Sequence, residues 1–326
     1  MFVDIFLFVI SLLVLFYASG LMVRSLTWLG RYFAVSEYAL ALILVAGATS
    51  LPELFLGINS AFYGVPSLSL GNVVGANILN VTLVIGIAML LAGEKLVFNR
   101  GLLKKYFYIN AGMLFLPALL ILDGALSRAD GLIMLLSFFA YLANVARMKK
   151  TAPEVKSAIP DDFSLANFFR NIGKFVVGTV LLLFSANFLV SESARIAEQF
   201  GVPIILIGIL ISIGTTLPEI VFGVRSVFLG HGGMSLGNAF GSVIFNGSFI
   251  LGLVATINPF AIGAPQNMAV NMALPFLFVA LINIYGVMKG GFSRPLGLFL
   301  ILCATAFILL SFSGAEYYNF SGAGEF

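Results

Sequence analysis

Long apolar runs separated by short polar breaks fill almost the whole chain. A run of ~20 apolar residues is long enough to cross a bilayer as a helix. Ten such runs lie near 3–25, 37–62, 68–92, 104–122, 129–147, 170–192, 203–229, 235–257, 266–288 and 295–313. Apolar residues follow one another within each run, without the strict alternation of a barrel strand. The expected fold class is therefore an all-α polytopic membrane protein with ten transmembrane helices. The one substantial polar stretch between runs covers 149–165, with Pro153, Glu154, Lys156, Pro160, Asp161 and Asp162. It reads as a linker between two sets of five spans. Its three scattered carboxylates do not follow the spacing of a calcium-binding loop.

The pattern then repeats. Ala46-Gly47-Ala48-Thr49-Ser50-Leu51-Pro52-Glu53 returns as Ser212-Ile213-Gly214-Thr215-Thr216-Leu217-Pro218-Glu219. Gly71-Asn72-Val73-Val74-Gly75 returns as Gly237-Asn238-Ala239-Phe240-Gly241, and Asn80 as Asn246. The offset is 166 throughout, and 16 of 41 positions are identical between 46–86 and 212–252. A repeat that places a carboxylate within apolar sequence is the mark of a transporter core. An odd number of spans per half inverts the second copy. The expected organisation is one five-helix repeat over 1–148, a linker over 149–165 and a second repeat over 166–320. The tail 321–326 looks like an added linker and is set aside.

Composition sharpens this picture. The chain is 60% hydrophobic and 10% charged, with a mean hydropathy of +1.09. Soluble domains carry ~25% charged residues. The N-terminal run has Asp4, no basic leader and no small-residue cleavage site, so it reads as a span rather than a signal peptide. The single cysteine, Cys303, excludes an internal disulfide and a cysteine metal cluster. The net charge is only +3, but its placement is informative. With the N-terminus outside, 15 of the 17 basic residues fall on inside loops or adjoining helix ends, leaving Arg128 and Arg195 outside. Cytoplasmic loops carry this excess. The expectation is a cell (inner) membrane protein with both termini outside and the 149–165 loop in the cytoplasm. No nucleic-acid partner is expected, and the expected unit is a monomer in the lipid bilayer.

Glu53 and Glu219 are the only acids well inside the spans. A charge at mid-helix costs ~2.5–3.5 kcal/mol on insertion scales, and here that cost falls twice, at equivalent positions. No basic residue lies close to either in sequence, which points to a bound cation as the countercharge. On a helix, Thr49 and Ser50 share the face of Glu53, as Thr215 and Thr216 share that of Glu219. Pro52 and Pro218 free the carbonyls of Ala48 and Gly214 and should open the helix beside each carboxylate. The Gly71/Gly75 and Gly237/Gly241 pairs should permit either a break or a close helix contact. Asn80, Asn246 and Ser242 add further oxygens. This is a hard-oxygen donor set without Cys or His, suited to Na⁺ and Ca²⁺ and unsuited to Zn²⁺ or copper. Close packing is the expected role of Gly57, Gly64, Gly75, Gly223 and Gly230. The spans hold no Ser–His pair, Asp dyad or two-His motif, which argues against a hydrolase. The expected class is a transporter, with no resident cofactor.

At these two motifs the chain resembles the prokaryotic sodium/calcium exchangers of the calcium/cation antiporter superfamily. The resemblance implies that Glu53 and Glu219 hold Ca²⁺ with help from carbonyls near Thr49 and Thr215. It also implies sodium sites from Ala46, Thr49, Ser50, Ser212, Thr215, Thr216 and Ser242 beside the same glutamates. Alternating access would come from the first and sixth spans sliding over the rest. Three positions depart from the family pattern. Ala48 precedes Thr49 where Gly is usual. Ala76 stands where a hydroxyl is usual, and Asn246 where some relatives are acidic. The plant-type proton/calcium signature, Gly-Asn-Ala-x-Glu, is absent. Exchange of Ca²⁺ for Na⁺ is the expected activity, with a proton-coupled calcium antiporter on the same fold as the alternative.

Overall fold

A computed structural model of the chain describes residues 41–92, 100–147, 164–199, 204–262, 265–289 and 291–313, with scattered helical positions between 13 and 29. Most of the first expected span, all but the end of the 149–165 linker and the tail 321–326 lie outside these residues. From residue 41 onward the described helices are α1 (Ala41–Thr49), α2 (Leu51–Phe62), α3 (Pro66–Ala92), α4 (Arg100–Leu120) and α5 (Arg128–Arg147). After the linker come α6 (Leu165–Gln199), α7 (Ile204–Thr215), α8 (Leu217–Phe228), α9 (Gly232–Ile257), α10 (Pro265–Lys289) and α11 (Arg294–Ser313). Each lies on an expected span. Two spans, 37–62 and 203–229, are each divided into a pair of half-helices. Among the described residues six helical stretches are long and apolar enough to cross a membrane, one of them (Ile211–Phe228) running through the α7–α8 junction, and the bent α1–α2 pair would make a seventh.

The offset of 166 governs the packing as well as the sequence. A side chain at Gly75 in α3 would run into Ser212 of α7, and one at Gly241 in α9 into Leu42 and Ala46 of α1. Gly57 of α2 lies against Ile250 and Gly223 of α8 against Val84. Gly86 faces the carbonyl of Gly297, as Gly252 faces that of Gly131. Every pair joins one half to the other and has its counterpart 166 residues on. Each half therefore completes the other's core, which is why neither is expected to fold alone. Small residues are what allow helix backbones to approach this closely in a membrane.

One expectation about the glycines is met and another needs correction. Gly75 and Gly241 serve close contact, and α3 and α9 are not broken there. Gly64 and Gly230 do not pack at all. They carry φ of +77° and +83° at equivalent turns and face open space, and glycine adopts that conformation without steric cost. An all-helical fold also gains one small exception. Two two-residue strands, β1 (Ala125–Leu126) and β2 (Phe260–Ala261), pair antiparallel between the halves.

Large apolar side chains fill the space around the two central helices. Leu42, Val81, Phe138, Phe240, Val279 and Leu300 belong to one buried cluster, and Leu70, Ile78, Ile121, Leu251 and Met268 to another. Phe245 and Phe249 of α9 stack at 4.9 Å between ring centroids and both meet Phe138 of α5. The described part of the first span packs on α6, where Gly178 lies against Ala18 and Met22.

Candidate ion-binding site

The site grows from the two helix breaks. α1 ends at Thr49 and α2 restarts at Leu51, with a bend of 52°. α7 ends at Thr215 and α8 restarts at Leu217. Pro52 and Pro218 each stand second in the restarted helix, a position where the missing N–H costs nothing. Glu53 and Glu219 follow immediately, in the first turn. Each carboxylate therefore sits at the positive end of a half-helix, while α1 and α7 direct their terminal carbonyls to the same region. Half-helix ends of this kind are how a membrane protein presents charge at mid-depth without open backbone in lipid.

Both glutamates are fully buried, and they approach closely enough to repel one another. Their surroundings differ. Glu219 faces the hydroxyls of Thr49, Ser50 and Ser242, and its Oε1 accepts a hydrogen bond from Ser242 Oγ at 3.2 Å. Glu53 faces Thr215, and neither of its oxygens has a hydrogen-bond partner. The reason is Ala76. It occupies the place equivalent to Ser242, so the donor that serves Glu219 has no counterpart for Glu53.

The other expected residues fall into four groups. Thr49 and Thr215 reach across the halves: Thr49 Oγ1 donates to Asn238 Oδ1 at 3.1 Å, and Thr215 Oγ1 donates to Asn72 Oδ1 at 3.2 Å. Ser212 and Thr216 turn back on their own helix, donating to the carbonyls of Ile209 at 2.5 Å and Ser212 at 2.6 Å. Ala46 occupies the place equivalent to Ser212, and its carbonyl accepts the N–H of Ser50 at 3.0 Å. Ser50, Asn80 and Asn246 are fully buried, and their side-chain polar atoms have no partner.

Asn80 and Asn246 owe their setting to a feature that the sequence did not announce. A π-helical turn covers Asn80–Val84 in α3 and another covers Phe245–Ile250 in α9. Such turns re-aim side chains in an otherwise regular helix and recur at functional sites. Sequence reasoning also passed over Asn72 and Asn238, which it recorded only as parts of the glycine motif. Both are buried. Their partners lie 143 and 189 residues away, so only the folded chain shows the link.

Buried polar atoms are almost always satisfied in a finished structure. Three carboxylate oxygens, the Ser50 hydroxyl and two amide groups left without partners make a concentrated exception. Negative charge and unpartnered hard oxygens of this kind have the chemistry that suits a cation. No group of three His, Cys, Asp or Glu side chains occurs among the described residues, so neutral oxygens must complete any coordination shell.

Comparison with known proteins matches residues 3–146 and 171–313 to the sodium/calcium exchanger protein family. The chain belongs to that family. It is thus an integral membrane protein and a cation antiporter, rather than an enzyme. Among relatives of this family is a sodium/calcium exchanger, MaX1, of Methanosarcina acetivorans, 28% identical over 95% of this chain and 99% of its own. Another is the inner membrane protein YrbG of Escherichia coli, 25% identical over 78% of this chain and 79% of its own. Among solved structures, the sodium-calcium exchanger NCX_Mj soaked with Na⁺ and Sr²⁺ superposes with a TM-score of 0.78, covering 94% of this chain and 97% of that one. At 22% identity this likeness concerns the fold, and the exchanger fold of two inverted repeats is the one described above.

Proposed function

We propose that this antiporter exchanges Ca²⁺ for Na⁺ by alternating access. The observation that carries the reading is the pair of buried glutamates, one from each half, with three partnerless oxygens and no basic partner among the described residues. Two carboxylates balance one Ca²⁺ in formal charge, and six to eight hard oxygens are what Ca²⁺ takes. Glu53 and Glu219 hold the ion with oxygens at Thr49 and Thr215. Na⁺ takes the same carboxylates with Ala46, Ser50, Ser212, Thr216 and Ser242, while Asn80 and Asn246 supply amide oxygens. An empty site leaves two negative charges facing each other in a low-dielectric interior, which is costly. The site therefore changes its exposure loaded, and that obligation is what couples one ion to the other. Movement belongs to the first span and α6, which pack together outside the site helices.

The orientation that places most basic residues inside puts both termini outside, and we take the membrane to be the inner one and the working direction to be Ca²⁺ extrusion. The MaX1 name supports sodium coupling. The deciding experiment measures radioactive calcium uptake into proteoliposomes under an imposed sodium gradient and, separately, under a pH gradient. Uptake driven by sodium alone is expected. Uptake driven by pH and indifferent to sodium would overturn the reading in favour of proton coupling.

A further inference from the structure

Asn72 and Asn238 sit outside the set of oxygens assigned to the ions, yet each is tied to a threonine within it. A threonine hydroxyl can serve a cation only through its lone pairs, and its one proton must then be placed elsewhere. In a site lined by two carboxylates, the acceptors within its reach include the carboxylates themselves. A hydroxyl that donates to Glu53 or Glu219 spends the very oxygen that the ion needs. The structure offers another acceptor. Thr215 Oγ1 donates to Asn72 Oδ1 at 3.2 Å, and Thr49 Oγ1 donates to Asn238 Oδ1 at 3.1 Å. The second bonds of these hydroxyls, to the Ser212 and Ala46 carbonyls, are longer, at 3.4 Å each. The two bonds are equivalent under the offset of 166, and both run from the broken helix of one half to the glycine-motif helix of the other.

We propose that Asn72 and Asn238 are positioning residues. Each takes the hydroxyl proton of a threonine from the opposite half, so that the threonine oxygen presents its lone pairs to the transported cation and both carboxylates stay free. The proposal rests on the reading that Thr49 and Thr215 face that cation. The amide nitrogens of Asn72 and Asn238 have no partner, so their hydrogen bonds to threonine are the reason for an amide here. A side chain that served only as adhesive between helices would be expected to use both ends.

The test is a pair of double-mutant cycles on the full-length protein in proteoliposomes, reading the half-saturating Ca²⁺ concentration and the maximal exchange rate separately. Asn72→Leu keeps the shape and removes the acceptor, and Thr215→Val removes the hydroxyl. Each single change should raise the half-saturating Ca²⁺ about tenfold, the scale of one lost hydrogen bond to a charged site. The double variant should be no worse than Thr215→Val alone, whereas Asn72→Leu combined with Thr49→Val should be additive. Asn238→Leu should show the mirror pattern with Thr49. Asn72→Asp, which keeps an acceptor oxygen, should restore most of the affinity and gives a readout if the leucine variant fails to assemble. Additive behaviour within the Asn72–Thr215 pair would overturn the proposal. So would an unchanged half-saturating Ca²⁺ with lowered thermal stability, or a failure of Asn72→Asp to rescue. A wild-type protein that moves no Ca²⁺ would instead defeat the exchange reading itself, so the two failures are distinct.

Discussion

In the proposed exchange two glutamates make the chemistry, and their unequal surroundings make the sharpest predictions. Glu53→Gln or Glu219→Gln should abolish calcium flux, because an amide cannot supply the charge that a divalent ion needs. Each variant should still elute as a folded protein in detergent, since neither carboxylate has a basic partner among the described residues to leave stranded. Normal flux in both would refute the assignment. Ala76→Ser should give Glu53 the donor that Ser242 gives Glu219 and supply one more oxygen beside it. Half-maximal exchange should then occur at a lower sodium concentration, and an unchanged sodium dependence would show that position to be idle. The glutamates, their hydroxyl neighbours and the Ala76 gap were legible in the sequence, because repetition marked them. The roles of Asn72 and Asn238 were not, because a hydrogen bond between halves leaves no local signature.

The helix breaks show which local rules carry through to structure and which do not. Proline at 52 and 218 foretold the half-helices correctly, because a missing N–H and a ring clash act within one turn. The glycines were harder, since one residue type serves two purposes here. Gly75 and Gly241 admit a neighbouring helix, and Gly64 and Gly230 turn the chain through positive φ. Sequence spacing alone does not separate these uses. The π turns at Asn80 and Phe245 have no sequence signature at all, and they are set by what packs around them. Gly241→Ala should force α9 away from Leu42 and Ala46 of α1, at a cost of ~1–3 kcal/mol, seen as a fall in detergent melting temperature. Gly64→Ala meets no neighbour and should cost ~1 kcal/mol through backbone strain alone. Equal effects of the two changes on calcium flux would contradict the distinction, because only Gly241 packs against a neighbouring helix, the one that ends at Thr49.

Taken whole, the molecule is two half-structures that each lack something the other holds. Thr49 finds its acceptor on Asn238 and Thr215 on Asn72, and the glycine contacts cross between halves in the same way. This reciprocity explains how an inverted repeat builds one central site from two weak ones. It also predicts that residues 1–148 expressed alone will not form a stable membrane domain; a folded, monodisperse half would contradict that. The linker lies outside the described residues, so its side of the membrane needs its own measurement. In a Cys303→Ser background, Ala152→Cys should react with a membrane-impermeant thiol reagent only from the cytoplasmic face. The most direct test of the whole account is a crystal of the protein soaked in Sr²⁺ and examined by anomalous scattering. The account predicts a peak bounded by the carboxylates of Glu53 and Glu219, absent from the Glu53→Gln variant. A protein that exchanges calcium normally yet binds strontium elsewhere, with both carboxylates bare, would contradict it.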